Sequence, residues 1–485
     1  MFASLRPAIA ALSAAALTAA CAVGPDYARP VLDLPADYKE AGPWRAADPQ
    51  PAASGEPWWA VYDDAPLDAL MTDAGSANLS LRVAEARYRQ AQALAQQARA
   101  GLAPNLGAGA GVQRARTTSN GPKEATDDSV GLTASWVPDL WGGIRRHIEA
   151  GQAGVEASAD DLAGARLSIQ TALAQDYLQL RIIDRQRALY ASTIAAYQRA
   201  LKLTQAQHAA GVVLLSDVAL AESQLASAQA QATDLEAART QFEHAIAVLT
   251  GRTPAQFSLA QTTDLPTLPA TPPGLPSALL ERRPDIAAAE RRVAQANAGI
   301  GVARAAYYPE LTLSAGAGFG AAALGSLLET PSRVWSLGAA LAQTLFDGGL
   351  RSAREAEAVA LHDAAAAQYK QTVLSGFQQV EDNLAALRLL DREAAFQAQA
   401  VQSAQTAERL ALVQYRGGTA SYLSVVTAQT LSLASQRTAV QLRGRQLAAS
   451  VGLVTALGGG WTAAAGAAAR VSSSKPPVSS GVASR

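Results

Sequence analysis

The sequence feature that most constrains this fold is a helical pattern from about Ile144 to Thr250, broken once at Gly211. No proline interrupts the pattern, and good helix formers fill most of its positions. Large apolar residues recur in steps of three and four, the repeat of a left-handed coiled coil. At ~1.5 Å per residue, the part before Gly211 would form a rod of roughly 100 Å. The residues that carry the repeat are Ile169, Leu173, Leu180, Ile183, Tyr190, Ile194, Tyr197 and Leu201.

The beginning of the chain indicates export. Residues 1–20 carry one early charge and then a small apolar run, which is typical of a secretory signal peptide and too short to span a bilayer. Cys21, the only cysteine, follows directly. The run Thr18-Ala19-Ala20-Cys21 resembles a bacterial lipobox, although leucine, here Leu17, stands one place too early. We expect Cys21 to be lipidated; a buried, small apolar cysteine is the alternative.

Composition excludes several classes of protein. Forty basic and 41 acidic residues leave no charge excess that would favour nucleic acid. Apolar residues make up 49% of the chain but aromatic residues only 5%, so alanine supplies much of the apolar share. No internal run of eighteen apolar residues follows the signal peptide, so any membrane crossing would have to be made by β-strands.

Alternation of apolar and polar residues predicts β-hairpins. Leu106 to Val112 alternate with small and polar residues, a polar loop is expected over Thr117–Asp128, and a second alternation runs from Val130 to Trp136. Strands of about ten residues match the length of transmembrane β-strands, but a hairpin on a soluble sheet would show the same pattern. An internal repeat supports the membrane reading, because helix, hairpin, rod and glycine break recur about 205 residues later.

These patterns divide the chain. We expect a signal peptide (1–20), an extended lipidated segment (21–66), a first repeat (67–260; hairpin 104–137, rod 144–250), a Pro-rich linker (261–276), a second repeat (277–460; hairpin 309–345, rod 350–457) and a C-terminal tail (461–485). Two hairpins give four strands, too few to close a barrel. Three chains would supply twelve, so the expected fold class is a mixed α/β membrane protein, a trimer.

Two motifs resemble a known family. The run from Cys21 to Pro30 (CAVGPDYARP) and the run from Leu275 to Glu290 (LPSALLERRPDIAAAE) look like signatures of NodT-type outer-membrane efflux lipoproteins, within the TolC-like outer membrane factors. The resemblance covers about Cys21 to Trp461. It implies a homotrimer in the cell outer membrane, in which a twelve-stranded transmembrane β-barrel continues into a long periplasmic α-helical barrel.

The resemblance also implies the function. Such proteins are exit ducts of tripartite efflux pumps, which pass drugs, metals or small solutes from an inner-membrane RND-type transporter and a periplasmic adaptor protein. A duct for type I protein secretion or ABC export would have the same fold. A coiled-coil scaffold without a pore and an enzyme are further alternatives. We expect no enzyme activity, no cofactor besides the lipid on Cys21 and no metal site, since the four histidines are far apart in sequence. The cargo cannot be read from the sequence.

Two kinds of site follow from the resemblance. The adaptor would dock at the helical tips, and a constriction would close the periplasmic end just beyond them. Glycines at the tips could equally be helix C-caps with positive φ. Family members often carry Asp where this chain has Ser424 or Thr427, so an apolar closure is expected instead. The expected residues are Gly211, Arg416, Gly417 and Gly418 at the tips, and Asp217, Tyr422, Leu423, Ser424 and Thr427 at the aperture.

Overall fold

The computed structural model describes residues 22–32, 38–41, 57–117, 123–269 and 283–459. They divide into two compact units. The sheet unit contains the described parts of Met1–Leu32, Ala86–Ala159 and Ala288–Gln371, and the helical unit contains those of Asp33–Glu85, Asp160–Ala287 and Thr372–Arg485. The signal peptide, Cys21, residues 270–276 of the Pro-rich linker and the C-terminal tail lie outside the described residues.

Seven α-helices are described. No described helix is both long enough and apolar enough to span a bilayer. Short 3₁₀ turns occur as well, among them Trp58–Tyr62 within the stretch expected to be extended. The helices are α1 (Ala65–Ala77), α2 (Leu79–Ala100), α3 (Gly143–Ala209), α4 (Leu215–Leu249), α5 (Pro284–Ala305), α6 (Leu350–Arg416) and α7 (Tyr422–Ala456).

The expected long helix before Gly211 is confirmed. Helix α3 has 67 residues, which corresponds to roughly 100 Å, and α4 has 35. Helices α6 and α7 have the same two lengths, 67 and 35 residues. The helix expected before the hairpin of the first repeat is interrupted at Asn78, which has extended backbone angles. Its side chain accepts the N–H of Leu81, as an N-cap does, and donates to the carbonyl of Leu249 at 2.8 Å.

Four antiparallel strands form one sheet in the order β1-β2-β3-β4: β1 (Asn105–Thr117), β2 (Lys123–Trp136), β3 (Glu310–Ala321) and β4 (Arg333–Ala342). The strands lie where the two hairpins were expected, but the polar loop expected over Thr117–Asp128 is too long. Strand β2 already begins at Lys123, because its polar first half pairs with β1. The Arg114 guanidinium reaches the Glu124 carboxylate at 2.7 Å across the pair, which favours this extension.

Residues 22–32 of the sheet unit are extended, as expected for this part of the chain. The N–H of Val23 donates to the carbonyl of Trp141 at 3.1 Å. The Arg146 guanidinium, nearly buried, donates to the carbonyl of Val23 and to the carboxylate of Asp26. Gly142 has φ +81°, and a Cβ there would lie 2.7 Å from the Cα of Ala22. The segment is therefore fixed by specific contacts at the start of α3.

The helical unit has a continuous apolar core. Side chains of α1, α3, α4 and α7 meet in it, together with Trp58, Tyr62 and Phe257. The hydroxyl of Tyr62, a side chain with 1% exposure, makes a 2.8 Å hydrogen bond with that of Ser450. Smaller apolar clusters continue along the helices towards the glycine breaks.

Candidate functional site

The sheet has one apolar face. The register places Ala108 opposite Leu132, Leu132 opposite Ala317 and Ala317 opposite Trp335, so one row crosses all four strands. Because side chains alternate along a strand, the neighbouring row has the opposite character: Thr133 lies opposite Gly107 and Gly316. The apolar face exposes large side chains at Leu106, Val112, Leu132, Trp136, Trp335, Leu337 and Leu341.

Both lateral edges of this sheet are open within the described chain. Strands β1 and β4 are the outermost strands, and each pairs on one side only. Strand β1 has 13 residues and β4 has 10, so each open edge presents a long row of backbone hydrogen-bonding groups. An apolar face with open edges is unfavourable in water, so this sheet requires other chains or lipid to cover it.

The first helical tip is a Schellman cap. Gly211 has φ +74°. Its N–H donates to the carbonyl of His208, and the N–H of Val212 donates to that of Gln207, both at 2.8 Å. These two bonds satisfy carbonyls at the end of α3. The glycine is required because other residues avoid this backbone conformation.

The second tip repeats this geometry with Gly418, whose φ is +73°. Its N–H donates to the carbonyl of Tyr415 at 3.0 Å, after Arg416, the last residue of α6. The alternative that Gly417 is itself a C-cap with positive φ is wrong. Its N–H donates to the carbonyl of Val413 as in a regular helix, and only the residue at the cap position reverses the chain.

A buried aromatic pair at the second tip connects this tip to the first one. The rings of Tyr415 and Tyr422 lie 5.3 Å apart, and the Tyr415 hydroxyl donates to the side-chain oxygen of Gln207 at 2.5 Å. Tyr422 is 2% exposed, and burial raises its pKa to about 12, with Tyr415 nearby adding to the shift. Tyr422 is therefore part of the packed tip, and it is not available as an apolar plug.

The other aperture candidates are accessible in the chain. Leu423 is 60% exposed, so it is not an internal core residue of this chain. Ser424 and Thr427 are also exposed, and the Thr427 hydroxyl donates to the carbonyl of Leu423 at 2.9 Å. Asp217 is half-buried in the first turn of α4.

Sequence reasoning missed an exposed apolar patch at the first tip. Val212, Leu214 and Leu215 are 66–73% exposed. The sequence itself indicates this patch, because the run from Val212 to Leu215 is apolar where a turn normally carries polar residues. Large exposed apolar side chains that are adjacent in a turn indicate a surface for another protein.

Among the described residues, no group of three or more histidine, cysteine, aspartate or glutamate side chains is placed so that it could hold a metal ion. His208 makes a local contact instead: its Nδ1 lies 3.0 Å from the carbonyl oxygen of Val213 in the tip.

Comparison with known proteins identifies the family. The family model described as "Outer membrane efflux protein" matches residues 70–252 and 275–459. The chain belongs to this family. The pyoverdine export outer membrane protein OpmQ of Pseudomonas aeruginosa is 34% identical, and the alignment covers 93% of this chain and 96% of OpmQ. Outer membrane protein OprJ of the same species is 31% identical, with the same two coverages.

A solved structure of the outer-membrane channel OprN is 30% identical, with a TM-score of 0.84 over 91% of this chain and all of OprN. The protein is therefore an outer-membrane efflux component with the fold of these channels.

Proposed function

We propose that this outer membrane efflux protein is the exit duct of a tripartite pump, assembled as a homotrimer. The observation that carries this proposal is the four-stranded sheet with one apolar face and two open edges. Three copies joined through β1 and β4 would form a twelve-stranded transmembrane barrel with the apolar face towards lipid. The two pairs of helices, 67 and 35 residues each, would form the periplasmic tube as two structural repeats per chain.

The stoichiometry tests this proposal. Native mass spectrometry of the detergent-solubilised protein should give a stable trimer, and the same preparation should produce ion-conducting channels in planar bilayers. Trimerisation is expected because an open sheet of four strands leaves backbone groups unpaired in lipid. A stable monomer or dimer would contradict the duct, and so would a trimer that does not conduct even when Leu423, the proposed aperture residue, is replaced with Ser.

The tips are proposed to dock the periplasmic adaptor, with an inner-membrane RND-type transporter behind it. The support is the exposed apolar patch of Val212, Leu214 and Leu215, on a turn held rigid by its glycine cap. Rigid surfaces lose little entropy on binding. A duct for ABC export would dock in the same way, and neighbouring genes would distinguish the two. The cargo is left open, because relatives are named for pyoverdine and for toluene, which differ in chemistry.

Cys21 is proposed as the acyl acceptor, although it lies outside the described residues. The next residue, Ala22, packs on Gly142, and the N–H of Val23 bonds to Trp141, just beyond the end of β2. This position would place the acyl chains near the end of the sheet at which β2 ends. We propose no cofactor besides this lipid, and no catalytic activity.

Replacing Cys21 with Ser should remove the lipid-sized mass increment from the mature N-terminus, because the hydroxyl does not replace the thiol as acyl acceptor. Intact-mass measurement of the purified protein checks this. Ala22→Ser, at the neighbouring position, is the control and should keep the increment. A Cys21→Ser protein that still carries the increment would rule out lipidation at this residue. The barrel should still insert, since β-closure supplies most of the membrane affinity.

Leu423 is proposed to close the periplasmic aperture. Three leucines meeting on the trimer axis would each contribute about 1–2 kcal/mol of apolar burial to the closed state. Leu423→Ser should therefore raise single-channel conductance and sensitise cells to large antibiotics such as vancomycin. Leu431→Ser is the control, because Leu431 lies on the same helix with similar exposure, 56% against 60%. Unchanged conductance with intact trimers would place the constriction elsewhere, and Asp217 would be the next residue to test.

A further inference from the structure

Helix α7 has an unusual charge pattern. Its 35 residues include Arg437, Arg443 and Arg445 but no Asp, Glu, Lys or His, although the whole chain has 40 basic and 41 acidic residues. Only Arg445 is neutralised, since its guanidinium lies 2.6 Å from the carboxylate of Glu393 on α6. The charges of the other two arginines on this helix are therefore the ones that need an account.

The other two arginines have no ion pair among the described residues. Arg437 is exposed. Arg443 is half-buried, and the loss of surrounding water lowers its pKa because no carboxylate offsets the desolvation. A guanidinium that is partly removed from water without an anionic partner is unfavourable, so the described residues leave the charges of Arg437 and Arg443 uncompensated.

Arg437 lies on the same exposed stripe as the proposed aperture. It follows Leu423 by two heptads, or roughly 21 Å along the helix. One row of exposed positions recurs in steps of three and four and continues to Arg445, with Ser424 and Leu431 exposed beside it. The row consists of Leu423, Thr427, Thr430, Ala434, Arg437, Gln441 and Arg445. If Leu423 faces the axis of the duct, then Arg437 faces it too, further into the tube.

A groove of about 480 Å³ surrounds this position, between α3, α4 and α7. Arg437 is the charged residue of its lining, and hydroxyl and amide side chains supply most of the polar remainder: Ser223, Gln224, Ser227, Gln231 and Thr430. Burial raises the pKa of the nearby Tyr197 hydroxyl, and the amide of Gln224 offsets part of this rise. Both polar atoms of that amide are buried without a well-formed hydrogen bond. The groove therefore offers a positive charge and spare hydrogen-bonding groups.

The acidic residues of α4 do not cancel this charge. Glu236 pairs with Arg187, and Glu243 pairs with Arg239. The remaining carboxylates, at Asp217, Glu222 and Asp234, are not part of the groove lining. Glu408 of α6 adds to the rise in the pKa of Tyr197, which burial dominates, but Glu408 is not part of the lining either. Arg437 is therefore the charged side chain of the groove wall.

We propose that α7 forms an anion-preferring stretch of the duct, that Arg437 is its specificity-determining residue, and that the cargo is a small, negatively charged organic solute. This inference rests on the proposed trimeric duct, in which symmetry places three Arg437 side chains around one lumen. Rings of arginine or lysine select anions in pores, and a guanidinium binds carboxylate, sulfonate or phosphate groups through two N–H bonds.

Reversal potentials test the proposed anion preference directly. Channels in planar bilayers would be measured under a KCl gradient at low ionic strength, where surface charge is least screened. The wild type should prefer chloride over potassium. Arg437→Gln should lower the permeability ratio roughly threefold or more, and Arg437→Glu should reverse it. Arg445→Gln is the matched control, because Arg445 is an exposed arginine of the same helix whose charge Glu393 already neutralises, and it should leave the ratio unchanged.

The measurements would be repeated in the Leu423→Ser background, so that a closed aperture cannot hide the effect. Conducting trimers whose selectivity does not respond to either Arg437 variant would overturn the inference while leaving the duct intact; a neighbouring subunit's carboxylate that pairs with Arg437 would give this result. If neither the wild type nor Leu423→Ser conducts, the proposed duct itself fails, and this inference fails with it.

Discussion

Leu132→Arg is expected to abolish trimers in the outer membrane. Leu132 lies within β2 on the apolar face, opposite Ala108 and Ala317, and is 52% exposed in the chain. An arginine on the lipid face near the bilayer midplane costs ~2–4 kcal/mol. Three copies would cost about 6–12 kcal/mol per trimer. That is comparable to the ~5–15 kcal/mol that stabilises a typical folded protein.

Thr133→Arg is the matched control. Thr133 is the next residue of the same strand, but it lies on the opposite face, opposite Gly107 and Gly316. In the proposed barrel this face lines an aqueous lumen, where an arginine remains hydrated, so normal trimer levels are expected. Outer-membrane fractions run on gels without heating would show both results. If Leu132→Arg trimers are as abundant as those of Thr133→Arg, the apolar face is not in lipid.

The two faces of the sheet could be predicted from sequence because strand alternation needs only the identity of each residue. The apolar positions from Leu106 to Val112 and from Val130 to Trp136 occupy one face, as their alternation indicated. The first loop could not be predicted. Its polar half, from Lys123 to Asp128, forms strand because it pairs with β1, and pairing is a long-range property that composition does not show.

The tips illustrate a different limit. A glycine after a long helix predicted the caps at Gly211 and Gly418, but two consecutive glycines could not show which one reverses the chain. Tyr422 and Leu423 are adjacent in sequence and both apolar, yet Tyr422 is 2% exposed and Leu423 60%. Neighbouring residues on a helix point about 100° apart. In a helix rich in alanine and serine, periodicity alone did not determine which of the two faces the core.

The largest omission of sequence reasoning is a buried charged network in the helical unit. The carboxylate of Asp184, on α3, accepts from Arg239 of α4 at 2.7 Å and lies 3.7 Å from Arg181. The same arginines donate to the backbone carbonyls of Leu259 and Ala260, at 2.7 and 2.8 Å. Charged residues on a helical rod suggest a solvated face, but the chain after α4 returns to cover these residues, which sequence spacing does not reveal.

Asp184→Leu is expected to destabilise each chain by about 3–5 kcal/mol, because it leaves the guanidiniums of Arg181 and Arg239 buried without this carboxylate. The Asp184 side chain is 2% exposed, and those of Arg181 and Arg239 are 4% and 9% exposed. The backbone segment that these arginines hold should loosen as well. Thermal dissociation of detergent-solubilised trimers should show a marked loss of stability.

Glu236→Leu is the control that separates the effect of burial from the effect of losing an interhelical ion pair. Glu236, on α4, pairs with Arg187 of α3 at 2.8 Å, so the two substitutions remove the same kind of interhelical ion pair. The Glu236 side chain is 62% exposed, and exposed pairs contribute only about 0–1 kcal/mol because water and salt screen them. Its variant should therefore dissociate at nearly the wild-type temperature. Equal effects of the two variants would mean that the buried network adds no more to stability than a surface pair.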